Sequence, residues 1–126
     1  MRDAYTRQGV CLDASKTVAE TREIIYAKWS VLQHHEFPII DDDKKLIGVL
    51  SYREILDTRV NPASRVRDLI KRQAVIIEPD SPLRLADNLM SRYNIGHLIV
   101  TDPKNPDHVI GVITRTDLLS AHRRLS

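Results

Sequence analysis

Two short stretches of this chain set a hydroxyl three residues ahead of an acid: Ser51-Tyr52-Arg53-Glu54 and Thr114-Arg115-Thr116-Asp117. Each follows an aliphatic run, so each reads as a strand running into the N-terminus of a helix. The first backbone N–H groups of a helix have no intrahelical partner, and the helix dipole favours negative charge there. A hydroxyl at such a corner can bond a phosphate or a ribose, and a carboxylate in the first turn can accept two hydrogen bonds from a ribose diol. The same spacing is also a helix-capping signature, in which hydroxyl and acid satisfy each other's backbone N–H groups. Glu is the preferred reciprocal cap, so Ser51 and Glu54 read mainly as a cap, while Asp117 is open to either role.

Other groups that invite chemistry have simpler readings. His34 and His35 are adjacent, and neighbours on a helix point about 100° apart, so they do not converge on one ion. The run Asp41 to Lys45 lacks the ligand spacing and the glycine of a calcium loop and reads as a solvated hairpin turn. His97 precedes a strand beside the second corner, where it could touch a flat base or be a half-buried structural histidine. Cys11 reads as a small apolar residue in a strand. No nucleophile is paired by motif with a base and an orienting group, and no GxxxxGK[ST] loop is present, so the chain reads as non-enzymatic.

The elements that position the two corners are written twice. "GVLSYREIL" (Gly48–Leu56) returns as "GVITRTDLL" (Gly111–Leu119), and "GVCLDASKTVAETR" (Gly9–Arg22) aligns with "AVIIEPDSPLRLAD" (Ala74–Asp87). "FPIIDDDKKLIGVLSYREIL" aligns with "HLIVTDPKNPDHVIGVITRTDLL" at an offset of 60 at the strand and 63 at the glycine. Each copy therefore reads strand, helix, strand, turn, strand, helix. The first helix of copy one spans about Thr17 to Gln33, with Thr17 and Glu20 at capping-box spacing and Val18, Ile25, Trp29 and Leu32 on one face. In copy two Ser81 precedes Pro82 at the first helical position, and Leu83, Ala86, Met90 and Tyr93 form the buried stripe. Hairpins are expected for Pro38–Ile40 with Leu46–Leu50 and for Leu98–Val100 with Val109–Ile113. Between the copies, Asn61-Pro62 marks a turn, and Ser64 caps a short helix over Val66 to Lys71. One copy buries too little apolar surface to stand alone, so the two are expected to pack their sheets together about a pseudo-twofold axis.

Composition narrows the class. At 126 residues, 42% apolar and 29% charged, the chain is globular rather than disordered. A net charge of +2 with mixed signs gives no reason to expect nucleic acid as a partner. No apolar run is long enough to span a bilayer, the N-terminus lacks the apolar core of a signal peptide, and the single cysteine fits a reducing, cytoplasmic setting.

The duplicated "FPIIDDDKKLIGVLSYREIL" and "GHLIVTDPKNPDHVIGVITRTDLL", with the helix entry "PDSPLRLADNLM", resemble a tandem pair of cystathionine-β-synthase (CBS) domains from about Gly9 to Ala121. The resemblance implies an α/β (α+β) fold of two β-α-β-β-α repeats: residues 1–60 as the first, 61–73 as a linker and 74–126 as the second. It implies a regulatory module that binds AMP, ADP, ATP or S-adenosylmethionine in one or both inter-repeat clefts and requires no cofactor. In the second cleft Asp117 would hold the ribose and Thr114 would lie near the phosphate, with Arg115 as a further phosphate contact. Ile76, Leu98 and Ile113 would sandwich the base, beside His97. The first cleft would comprise Cys11, Phe37, Pro38, Ser51 and Glu54. Copy one departs from the family's Asp with Glu54, and copy two has Leu98 where a proline before the second strand is frequent. Such pairs commonly form homodimers through their helices, and Leu118, Leu119 and His122 are candidates for that surface. The ending "IGVITRTDLLSAHRRLS" looks like the C-terminal cytoplasmic pair of prokaryotic ClC-type chloride channels, which implies covalent attachment to a membrane domain. A free-standing CBS pair and a ligand-free dimerisation module are the alternatives.

Overall fold

The computed structural model describes residues 11–27 and 36–125. They form a mixed α+β fold with two three-stranded sheets, one in each of two compact units that meet in sequence at Gln73 and Ala74.

The first unit contains β1 (Leu12–Asp13), α1 (Val18–Ala27), β2 (Glu36–Ile40), β3 (Leu46–Ser51), α2 (Tyr52–Ile55) and a 3₁₀ turn (Val66–Leu69). β1 runs parallel to β2, and β2 runs antiparallel to β3. Thr17 caps α1 as its spacing predicts: Thr17 Oγ1 accepts the Glu20 N–H (3.1 Å), and Glu20 Oε1 accepts the Thr17 N–H (3.2 Å). α1 buries Val18, Thr21 and Ile25. The rest of the expected helix, with Trp29 and Leu32, lies outside the described residues, as do His34 and His35. Residues 61–73 belong to the body of this unit. Ser64 O and Pro62 O accept the N–H groups of Val18 and Ala19, two donors that a helix start leaves without intrahelical partners. Val66 is fully buried among Leu12, Phe37 and Ile55. The turn starts at Val66 as expected but ends at Leu69 rather than Lys71, and Arg65 rather than Ser64 stands at its cap, the Arg65 N–H donating to Asp68 Oδ2 (3.2 Å).

The second unit contains β4 (Ile76–Ile77), α3 (Leu83–Tyr93), β5 (His97–Asp102), β6 (Asn105–Thr114) and α4 (Arg115–Leu125), with sheet order β4-β5-β6. Pro82 stands just before α3 rather than as its first residue. Ala86 and Met90 are buried and Leu83 packs against them, but Tyr93 is 53% exposed and not part of the stripe. Tyr93 is the last residue of the helix. Asn94 adopts a left-handed conformation (φ 52°), and the Ile95 N–H bonds back to Met90 O (3.0 Å). That turn drops Ile95 onto the core in place of Tyr93, the usual apolar contact of such a C-terminal cap.

Both hairpins are longer than the expected segments. In the second, pairing continues to Asp102 opposite Asn105. Asp102 Oδ1 accepts the Lys104 N–H there, and Asn105 Oδ1 accepts the Asp107 N–H. In the first, Asp41 Oδ1 accepts the N–H groups of Asp43 and Lys45 (2.9 Å each), and Lys44 takes φ 60°. The acidic run thus serves its own turn.

Strand register gives the equivalence of the two units. Phe37 faces Leu50 and Leu98 faces Ile113; Ile39 faces Gly48 and Val100 faces Gly111. The strand offset is therefore 61, not the expected 60. Leu98 matches Phe37, and the residue matching Pro38 is Ile99. A one-residue slip would exchange the two faces of the strand. Phe37 and Leu98 both lie fully buried under the helices, while Glu36 and His97 are half-buried. The Ile99 N–H donates to Val75 O (2.9 Å), and Pro38 has no N–H for a bond of that kind. Each hairpin is also bulged just before its glycine, at Ile47 and Ile110, so the bulge repeats at the offset of 63.

Candidate functional site

In each unit the last residue of the hairpin's second strand caps the next helix. Thr114 Oγ1 accepts the Asp117 N–H (3.1 Å), and Asp117 Oδ2 accepts the Thr114 N–H (2.9 Å). Ser51 Oγ accepts the Glu54 N–H (3.2 Å), and Glu54 Oε1 accepts the Ser51 N–H (2.8 Å). The capping role of both motifs is thus realised. It occupies one lone pair of each carboxylate and leaves the rest available.

The two corners then differ. At the second, Asp117 has no cation paired to it among the described residues, and its Oδ1, like Glu54 Oε2 at the first, accepts no protein hydrogen bond there. His97 lies directly across the ladder from Thr114. The Arg115 N–H donates to Gly96 O, and its guanidinium donates to Ile95 O (3.1 Å each). Arg115 thereby ties the start of α4 to the loop entering β5, its exposed side chain beside the corner. The eleven residues of α4 supply a helix N-terminus of ordinary length.

At the first corner α2 is only four residues long. Arg72 bridges two acids there: Nη1 donates to Glu54 Oε1 (2.9 Å), and Nη2 donates to Glu36 Oε1 (2.7 Å). Glu36 sits across the ladder from Ser51, the place His97 holds in the second unit. Partial burial by itself pushes the Glu54 carboxyl up. The bonds from Ser51 and Arg72 outweigh it and hold the group below the ordinary glutamate value. Burial likewise lowers Arg72, and its two carboxylate partners more than offset that. Residues 70–72 lie close over β3, because a Cβ on Gly48 would stand 2.5 Å from Ile70 Cγ2 and 3.2 Å from Arg72 O. Only a glycine fits there without displacement of that segment.

The remaining expected contacts fall in three places. Leu98 and Ile113 are fully buried with Ala86, Met90 and Leu118, and Phe37 is fully buried with Ile25 and Ile55. These three build the cores and have no surface to offer a base. Ile76 shares the opposite sheet face with His97, Ile99, Val112 and Thr114, by alternation along paired strands. It is 42% exposed and lines a groove of about 280 Å³ with Leu85, Thr101 and Asp102. Pro38 is buried opposite Val49, and Cys11 is half-buried ahead of β1, where burial pushes its thiol up. Arg72 and Glu36 are the residues the sequence reading missed. Arg72 is 18 residues from Glu54 and 36 from Glu36, and no periodicity links them.

The chain belongs to the CBS domain family, whose model matches it twice, over residues 1–61 and 66–124. An uncharacterised protein of Methanocaldococcus jannaschii, MJ1232, is 34% identical over 82 residues, which is 65% of this chain and 27% of that protein. The chain thus spans about a quarter of that relative's length. Among solved structures, CBSX2 in complex with AMP superposes with TM-score 0.77 at 22% identity, covering 98% of this chain and 96% of that one. The CBS domain pair of MJ0100, in complex with 5-methylthioadenosine and S-adenosyl-L-methionine, gives 0.78 at 20%, covering 99% and 96%. The cytosolic domain of the Mg2+ channel MgtE, in complex with ATP, gives 0.79 at 22%, covering 93% and 46%. No helix among the described residues is long and apolar enough to cross a membrane.

Proposed function

We propose that this chain is a regulatory, non-catalytic module that binds an adenosyl ligand through the Thr114–Asp117 corner of its second repeat. The observation that carries the reading is Asp117. Its cap bond occupies a single lone pair, and the second oxygen is unclaimed by protein among the described residues. The ribose diol would bond this carboxylate. The phosphate or equivalent polar group would lie toward Thr114, the Arg115 guanidinium and the start of α4. The base would lie beside His97 and the exposed Ile76 rather than against Leu98 and Ile113. AMP, ADP, ATP and S-adenosylmethionine are the candidates, and the complexes of CBSX2, MJ0100 and MgtE support that class of ligand. Such a ligand regulates only if it binds one arrangement of the module better than another.

The finer part of the reading is a homodimer on the cytoplasmic side of a membrane transport protein. The "TRTDLLSAHRRLS" ending supports a ClC-type parent, and the likeness to the MgtE cytosolic domain supports a channel-attached module more broadly. Sequencing the native gene for a multi-span apolar segment joined to this module tests the attachment.

The binding test is a thermal-shift panel of AMP, ADP, ATP and S-adenosylmethionine with GTP as base control. At 100 times Kd a ligand stabilises by about 2.7 kcal/mol, a Tm shift of roughly 10 °C for a domain of this size. Asp117→Asn keeps an oxygen to accept the Thr114 N–H but removes the second carboxylate oxygen. A shift confined to adenosyl compounds and lost in Asp117→Asn is the expected result. No shift with any of them in folded protein overturns the reading.

A further inference from the structure

We infer that Arg72 is a built-in occupant of the first corner, so that the module takes one adenosyl ligand per chain, at the second corner. The inference rests on the adenosyl reading above and deepens it. A carboxylate holds a diol through both of its oxygens. Glu54 Oε1 already accepts from the Ser51 N–H and from Arg72 Nη1, which fills both of its lone pairs. The guanidinium stands in front of that acid with its charge shared between Glu54 and Glu36, and its side chain is 41% exposed against 27% and 15% for the two acids. The cation is the most exposed member of the cluster, and a ligand that took Glu54 Oε1 would have to displace it.

Three features of the first unit hold Arg72 in place, and the second unit lacks two of them. Gly48 lets residues 70–72 pack close over β3. Glu36 supplies the second acid, where the second unit has His97. Glu54 is one methylene longer than Asp117, which lets its carboxylate cap Ser51 and still meet the guanidinium. The four-residue α2 adds little dipole for a phosphate. Together these features make the first corner an internal ion cluster.

Titration calorimetry on the whole chain, with AMP, ATP and S-adenosylmethionine each as titrant, reads the stoichiometry. One ligand per chain, abolished by Asp117→Asn and retained in Glu54→Gln, is expected. In Arg72→Ala/Glu54→Asp, checked for folding by circular dichroism, a second equivalent appears. Two ligands per chain in the unmodified protein, or a folded double variant that still takes one, overturns the inference while leaving the adenosyl reading intact. No binding by any of the three overturns both.

Discussion

The two strand–helix corners come from one repeated motif, and they differ in what faces the capping acid. At the first, Glu54 serves Ser51 and Arg72 together, and Glu36 binds the other side of the same guanidinium. At the second, Asp117 serves Thr114 alone, across from His97 rather than a second acid, at the head of a helix almost three times as long. Two corners with near-identical backbone hydrogen bonding thus differ in the charge that meets the capping acid. The cap is set by the local hydroxyl–acid spacing. What else meets the capping acid is set by distant residues.

The largest effects should fall where the repeats are alike. Phe37→Ala and Leu98→Ala remove matched, fully buried side chains from the two cores. Each should cost about 2–5 kcal/mol in denaturant unfolding, with the larger loss at Phe37. A loss under about 1 kcal/mol at either would break the register equivalence on which the comparison depends. Ligand-linked stability should then separate the corners: Asp117→Asn should remove the shift of about 2.7 kcal/mol expected at 100 times Kd, and Glu54→Gln should leave it.

Gly48→Ala should come next. Its new methyl would meet Ile70 and the Arg72 backbone, and overpacking of this kind costs about 1–3 kcal/mol. Displacement of Arg72 should also return the Glu54 titration, followed by carboxyl NMR, toward the ordinary glutamate value. Smallest is the pH effect of the ion cluster. A carboxylate whose folded pKa is lowered adds stability that is full above its unfolded pKa and lost as pH falls through the folded one. Stability of the unmodified protein should therefore fall on acidification through and below the ordinary glutamate range. Arg72→Ala should flatten that slope by an amount on the order of 0.5 kcal/mol, since the cluster is partly solvent-exposed.

Much of this molecule is legible in its residues, because the determining interactions are short in sequence. Thr17 with Glu20, Ser51 with Glu54 and Thr114 with Asp117 are three residues apart, and each forms the reciprocal cap its spacing predicts. The repeated glycines mark matching bulges, and the aliphatic runs around them become the paired strands. Repetition itself conveys the two-unit architecture, since equal patterns of burial demand equal folds.

Tertiary structure decided what local pattern cannot encode. It set the strand offset at 61 by burying Phe37 and Leu98 together, a choice between two faces that the flanking aliphatics alone do not make. It removed Tyr93 from the core, because a left-handed Asn94 ended the helix and brought Ile95 in instead. It committed Leu98, Ile113 and Phe37 to core packing. It also brought Arg72 across 18 and 36 residues to two acids. Caps and bulges follow from the backbone within a few residues, whereas the faces of a sheet and the partners of a charge depend on which distant segment folds against them.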